Sequence, residues 1–361
     1  MLFLLLPLQS SKSATNKPQI TTKYQKESAL KSGLTANNRK DYVKEGKELL
    51  ILWWNAENLF DTRNDPSAGD DEFTPDGSKR WTQKKLELKQ LRIRLVLDAI
   101  HASPDYRRYP DILAFAETEN RGVFAGSLGK TGTSAYKILY YESPDPRGID
   151  IGLAYNPRSV RLTSSKAYRV PIENDKPTRP VIVAGFSAGR HPFHVVLNHW
   201  PSRSFDREWS EQKRMVAARV TRHIADSLRM ADTKADIIIM GDFNDEPENR
   251  SLRQVLGSSS DAAKVRSGCT TLLYNCWSGY DGIGSYSYRN RWEHIDQILL
   301  SCGMLDRKGL SLPDRPFRCF YFPDMLDRTG KKPYSTFYKG KFKGGYSDHL
   351  PLLLKVATET D

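Results

Sequence analysis

From Leu49 onward the chain alternates short apolar runs with polar turns. The runs LLILWWNAENLF (49–60), DILAFAE (111–117), IDIGLAYN (149–156), VIVAGF (181–186), FHVVLNHW (193–200), ADIIIMGDFN (235–244), HIDQILLS (294–301) and LPLLLKV (350–356) have the length of buried strands. Polar residues recur at their ends. Two longer stretches, KKLELKQLRIRLVLDAI (84–100) and REWSEQKRMVAARVTRHIADSLRM (207–230), repeat apolar residues at intervals of three and four, the mark of amphipathic helices lying on a sheet. Strands interleaved with such helices predict one α/β domain over 49–361, its strands meeting at a common edge.

The first 48 residues break this pattern. MLFLLLPLQS followed by SKSAT has the apolar core and small-residue end of a signal peptide but no charged start, so it fits a clipped leader or a chance apolar block. The reading adopted is export, periplasmic or extracellular, with a cytoplasmic protein as the alternative. Residues 11–48 are polar, rich in Lys, Ser, Thr and Asn and without steady periodicity, and read as a disordered basic arm. The chain as a whole carries a formal net charge of +12, five of which lie in 1–48, leaving the domain moderately basic. Such a surplus favours an anionic partner, nucleic acid or an acidic membrane surface. A hydrophobic content of 39% with 11% aromatics excludes a disordered protein, and no later run reaches the roughly 18 apolar residues of a membrane span. Cys269, Cys276, Cys302 and Cys319 fit no zinc spacing; buried thiols are expected, or one or two disulfides if the protein is exported.

The strand ends carry the candidate chemistry. They bring Asn55 and Glu57, Glu117, Asp150, Asn198 and His199, Asp242 and Asn244, Asp296, and then Asp348 and His349. This set is rich in carboxylates and carboxamides, holds two His, and lacks Cys and Lys. Oxygen donors of this kind suit a hard cation, Mg2+ or Mn2+ with Ca2+ possible, and zinc would ask for more imidazole or thiolate. The chemistry implied is phosphoryl transfer to water, a cation polarising the phosphate and a carboxylate-oriented His assisting attack. In GDFND (241–245), Asp242 and Asn244 flank a Phe that period two turns into the core. In GGYSDHLP (344–351), two Gly permit a tight path that throws Asp348 and His349 out at the mouth of a strand.

Taken in order, WNAENLFD, LAFAETEN, RGIDIGLAYN, LNHWPSR, IIMGDFNDEP, WEHIDQILLS and GGYSDHLPLLL resemble the endonuclease/exonuclease/phosphatase superfamily, with the deoxyribonuclease I-like fold, over about 49–356. The resemblance implies a four-layer α/β/β/α sandwich of two packed mixed sheets with the site at one open edge. Glu117 then resembles the main metal-binding glutamate, with Asn55, Glu57 and Asp348 as further metal residues. Asp242 and Asn244 match the pair that contacts the attacking water and the scissile phosphate, and His349 the catalytic imidazole that Asp296 orients. Asp150 and His199 stand where a second carboxylate–imidazole pair is found, suited to helping a poor leaving group depart. Arg147 and Asn198 are expected substrate contacts. The activity implied is a Mg2+-dependent phosphodiesterase or nuclease acting on nucleic acid, with a phosphatase or sphingomyelinase-like phospholipase acting on a small or lipid phosphate as the alternative. A monomer without a stable protein partner is expected. CFYFPDM (319–325) is the one stretch reminiscent of a membrane-docking loop, and no basic helix suited to tracking DNA stands out.

Overall fold

A computed structural model of the chain describes residues 48–129, 132–172, 177–204, 206–269 and 271–358. The apolar start and nearly all of the basic arm lie outside the described residues. The first half runs β1 (Glu48–Leu59), α1 (Gln83–Ala102), β2 (Ile112–Thr118), α2 (Arg121–Leu128), β3 (Lys137–Tyr141), β4 (Asp150–Tyr155), β5 (Arg161–Tyr168) and β6 (Val181–Ala188). It continues with β7 (His191–His199), α3 (Arg207–Ala231), β8 (Ile237–Asp242), β9 (Ser258–Ser259), α4 (Ala262–Ser267), β10 (Leu273–Asn275), β11 (Tyr286–Tyr288) and β12 (Arg291–Glu293). The last elements are β13 (Asp296–Leu300), β14 (Leu310–Ser311), β15 (Phe317–Cys319), β16 (Phe337–Tyr338), β17 (Lys341–Phe342) and β18 (Leu352–Thr358).

Fourteen of these strands form two seven-stranded mixed sheets, and β11–β12 and β16–β17 form two hairpins. Sheet one has the order β14-β18-β1-β2-β4-β3 with β15 also on β18; sheet two has the order β5-β6-β7-β8-β13-β10-β9. β1 and β2 run parallel, as do β7 and β8, while β18 and β13 run antiparallel to them. Alternation along the strands explains the layering. In β8, Ile238 and Met240 join Val195, Leu197 and Ile298 in the core between the sheets, and Ile237 and Ile239 pack with Ala217, Ala218 and Ile224 of α3 on the outer face. Each such side chain contributes about 1.5–3 kcal/mol on burial, so a register slip of one residue would cost both cores at once. On the other side α1 lays Leu86, Ile93, Val96, Leu97 and Ile100 into the sandwich. The four-layer expectation is borne out.

Cys269, just after α4, and Cys302, just after β13, form a disulfide with Cα atoms 5.1 Å apart. The preferred expectation of buried thiols holds for Cys276 and Cys319 and fails for this pair. Spacing along the chain could not say which cysteines the fold would bring together.

Candidate active site

Because β1 and β2 are parallel, as are β7 and β8, their C-terminal ends lie at one edge, and β13 and β18 start there in the opposite sense. Asp242 is consequently in register with both Asp296 and His199. Side chains then cross between the sheets. Asn55 Nδ2 of β1 donates to Asp242 Oδ2 of β8 (3.1 Å), and Trp53 Nε1 of β1 donates to Asp296 Oδ1 of β13 (2.9 Å).

The firmest unit is His349 with Asp296, Nδ1 and Oδ2 being 2.6 Å apart and both side chains buried. Asp296 is held by Trp53 on one oxygen and by Ser285 Oγ (2.7 Å) on the other, so the carboxylate cannot turn away from the ring. The His349 backbone is fixed as well, its carbonyl accepting from Trp54 Nε1 (2.9 Å) and its N–H donating to Ser347 Oγ (3.0 Å). Tyr286 packs on the ring with centroids 4.8 Å apart. Burial works against a charged imidazole, but Asp296, Asp348 and Asp242 overcome it and hold His349 well above its ordinary value. Its Nε2 is left facing Asp242 Oδ2 and Asp348 Oδ1, each 3.9 Å away.

Carboxylates gather next to this pair. Asn55 Nδ2 also reaches Glu117 Oε1 (3.3 Å), and Asn58 N donates to Glu117 Oε2 (2.9 Å). Burial, then the neighbouring Asp296, pushes Asp242 up to about 7. Burial together with Glu117 and Asp242 raises Asp348 to about 6. Its side chain keeps 43% of its surface open to solvent. The like charges crowded here attract a cation. Donor atoms of Asp242, Asp296 and His349 all lie within 4.8 Å of one another, yet Asp296 and His349 already satisfy each other. Outside that pair, Asn55 Nδ2 bridges Glu117 and Asp242, its own Oδ1 accepts from Glu57 N (2.9 Å), and Asp348 faces His349; these oxygens are of the kind a hard divalent cation takes.

On the other flank stands His199, its Nε2 3.9 Å from Asp242 Oδ2. It does not have the partner expected of it. Asp150 turns to its neighbours, Oδ2 accepting from Tyr140 Oη (3.0 Å) and Oδ1 from Ser143 N (2.7 Å), and His199 Nδ1 has no hydrogen-bond partner. Asp150 lines a cavity of about 570 Å³ together with Asp61, Arg63, Asp65, Glu119 and Asp145. What faces His199 is cationic. Burial first, then Arg179 and Arg147, hold its pKa well below the ordinary value, so the ring is neutral. Arg179 is itself buried, giving Nη1 to Asp145 Oδ2 (2.6 Å) and Nη2 to the Trp200 carbonyl (2.9 Å) while its Nε has no partner. Arg147 leans on the same Asp145 (3.4 Å) with half its side chain open to solvent.

Two further expectations are corrected. Glu57 does not join the cation donors: its oxygens accept the backbone N–H groups of Thr336 (2.6 Å) and Phe337 (2.9 Å), tying the end of β1 to the loop before β16. Asn198 does not face the cleft either, because one step along β7 from His199 it points to the opposite side, where Trp200 Nε1 (3.0 Å) and Thr221 Oγ1 (2.6 Å) of α3 donate to its Oδ1. Asn244 sits beside Asp242, its N–H on Asp242 Oδ1 (2.9 Å) and its Nδ2 on the Trp200 carbonyl (3.1 Å). Glu57, Asn58, Glu117 and Asn244 all hold positive φ, at 49°, 51°, 58° and 52°. Such backbone costs about 1–3 kcal/mol per residue and clusters at sites that need a side chain aimed against the local preference. Lys89 was missed although α1 advertised it, a lysine on the stripe of Leu86 and Ile93. It is fully buried behind the acids, and its Nζ donates to Thr336 Oγ1 (2.6 Å) and the Tyr346 carbonyl (2.6 Å).

Two mixed sheets with helices outside, and a His–Asp pair beside gathered carboxylates at the shared edge, define a sandwich-fold phosphoesterase. The model of the endonuclease/exonuclease/phosphatase family matches residues 50–358, and the chain belongs to that family. Among solved structures it is similar to the human Nocturnin catalytic domain with bound sulfate anion (TM-score 0.53, 17% identity, covering 86% of this chain and 95% of that one). It is also similar to truncated Caenorhabditis elegans TDP2 (0.52, 15%, 87% and 99%) and to an endonuclease/exonuclease/phosphatase family protein from Bacteroides thetaiotaomicron (0.52, 14%, 88% and 100%). At these identities the likeness is one of fold. No curated protein matches the chain.

Proposed function

We propose that this phosphoesterase is a divalent-cation-dependent phosphodiesterase acting on nucleic acid. The observation that carries the reading is the Asp296-held His349 opening onto the carboxylates of Asp242 and Asp348. Glu117 and Asp348, with Asp242 and Asn55, would hold Mg2+, or Mn2+ or Ca2+ in its place. When bound, the cation supplies Lewis-acid polarisation of a phosphoryl oxygen and neutralises charge in the transition state.

The protein's own groups divide the remaining work. His349, its Nδ1 held by Asp296, presents Nε2 to a phosphoryl oxygen. Asp242, 3.9 Å from His349 Nε2 and in register with Asp296, accepts the proton of the attacking water. Asn244, aimed from a left-handed backbone, orients that water or the scissile phosphate. Neutral His199, between Arg179 and Arg147, binds a phosphoryl oxygen, which replaces the acid role that a pair with Asp150 would have given it. The two guanidiniums and the net charge of +12 favour a polyanion. Export is part of the same proposal, supported by the apolar block in 1–10 and by the Cys269–Cys302 disulfide, a bond that persists in oxidising compartments.

One panel tests the proposal: plasmid DNA, RNA, a bis-aryl phosphodiester, an aryl phosphomonoester and sphingomyelin, each with Mg2+, Mn2+, Ca2+ or chelator. Nucleic acid and the aryl diester should be cleaved only with a cation. Preferential turnover of the monoester or of sphingomyelin, or full activity in chelator, would overturn it.

A further inference from the structure

Between Arg328 and Tyr346 the chain carries six cations, Arg328, Lys331, Lys332, Lys339, Lys341 and Lys343, and no acid. This segment contains the β16–β17 hairpin, and its base is bolted to the site: Glu57 accepts two of its N–H groups, Lys89 ties Thr336 to Tyr346, and Asp348 and His349 follow directly. A second hairpin, β11–β12, stands beside it, joined by Ser287 Oγ donating to the Lys331 carbonyl (2.8 Å) and reaching His349 through Tyr286. The catalytic imidazole therefore lies between two hairpins.

Their faces are sorted by chemistry. Phe337 and Phe342 turn inward onto Trp81, with ring centroids 5.7 and 5.9 Å away. Outward stand Tyr338 and Tyr288, 46% and 45% exposed, with Lys332 Nζ 4.1 Å from the Tyr338 ring and the Arg289 guanidinium 5.2 Å from that of Tyr288. Lys339, Lys341, Lys343, Arg289 and Arg291 are exposed, and none of the five pairs with an acid among the described residues. A membrane-docking tip would expose its phenylalanines; here they are hidden and the tip offers ammonium groups and tyrosine rings. That combination fits a strand of phosphates carrying unstacked bases.

We propose that the two hairpins are a strand-binding surface for single-stranded nucleic acid, the lysines taking successive phosphates while Tyr338 and Tyr288 stack on unpaired bases and lead the strand to His349. The proposal rests on the nucleic-acid reading above and adds the strand form and the surface that selects it.

The test is direct binding, by fluorescence anisotropy of a labelled single-stranded oligonucleotide in chelator so that nothing is cleaved. Lys339→Ala/Lys341→Ala/Lys343→Ala should weaken binding at least about tenfold and lower the slope of log affinity against log salt by about 2, as expected for three lost phosphate contacts to a single strand. Tyr338→Ala should weaken it about tenfold while leaving the salt slope unchanged, the behaviour of a lost stacking contact. Arg307→Ala/Lys308→Ala/Arg315→Ala removes equal charge from exposed positions flanking β14 and before β15, and should bind as the parent does. Equal losses in the two triple variants, equal affinity for duplex, or sedimentation with phosphatidylglycerol vesicles in place of oligonucleotide binding would each overturn the proposal. Hairpin-dependent binding without cleavage of any nucleic acid would uphold this surface and reject the proposed activity.

Discussion

Replacing Asp296 by Asn separates the role of its charge from that of its shape. The carboxylate is fully buried and faces three donors: Trp53 Nε1 at 2.9 Å, Ser285 Oγ at 2.7 Å and His349 Nδ1 at 2.6 Å. An amide of the same size offers one acceptor oxygen and turns an NH2 group toward a donor, so at least one of the three loses its partner, a cost of about 1–3 kcal/mol. At the few degrees per kcal/mol typical of domains of this size, the melting temperature should fall by several degrees without loss of the fold. Activity should fall much further, by about 10²–10⁴, because nothing then fixes the His349 proton or sustains its charge. Initial rates on a bis-aryl phosphodiester, beside thermal melts followed by circular dichroism, read both quantities. Trp53→Phe is the companion: it also leaves a buried hydrogen bond unmade but keeps the carboxylate, so its melting loss should be similar and its rate loss about tenfold or less. If Asp296→Asn retains a rate within about tenfold of the parent, below what acid–base catalysis supplies, or if the two variants lose activity equally, the dyad is structural and the reasoning fails.

Glu117→Gln should keep the fold while abolishing the heat of Mn2+ binding in calorimetry and the cation-dependent rate; retention of Mn2+ binding would place the cation elsewhere. His199→Ala should cost similar factors on an oligonucleotide and on a bis-aryl diester, since a neutral ring between two arginines binds phosphate and does not protonate the leaving group. A much larger loss on the oligonucleotide would restore the acid role. Far from the site, burial and then Asp306 and Asp232 push the Asp236 carboxyl up to about 7, against the pull of the Leu310 N–H. A folded pKa above the unfolded one means stability that is full below the ordinary carboxylate range and lost as pH rises through about 7. Asp236→Asn should therefore raise the melting temperature near pH 8 and bring no such gain near pH 4; an unchanged melt near pH 8 would refute it.

The strands were legible as continuous apolar runs, the pattern of strands buried on both faces, and the two long helices because period 3.6 survives in the sequence. Alternation could also have excluded Asn198, since the step that turns His199 into the cleft must turn its neighbour under α3. Lys89 was legible in the same way, as a charge on an apolar stripe. Glu57 was not: its partners, Thr336 and Phe337, lie 279 and 280 residues along the chain, and only the folded loop shows that the carboxylate has been claimed. Asp150 failed for a related reason, its direction at the start of β4 being set by Tyr140 of β3 and by Ser143. Arg179, isolated between Thr178 and Pro180, gives no sign in sequence that it ends beside His199. The hairpins escaped notice because strands of two or three residues leave no periodicity to read.

Asn55 and Glu117 lie in sheet one and Asp348 and His349 in the segment leading into its β18, while Asp242, Asp296 and His199 lie in sheet two and Asn244 just after its β8. Neither sheet alone holds a complete dyad or a complete set of cation donors, so hydrolytic power arises only when the two halves close on each other. The unfolded chain is harmless to the phosphoesters of the cell that makes it. The same interface that stabilises the sandwich acts as its safety catch, and a substitution that merely loosens sheet docking would silence the enzyme well before it unfolds.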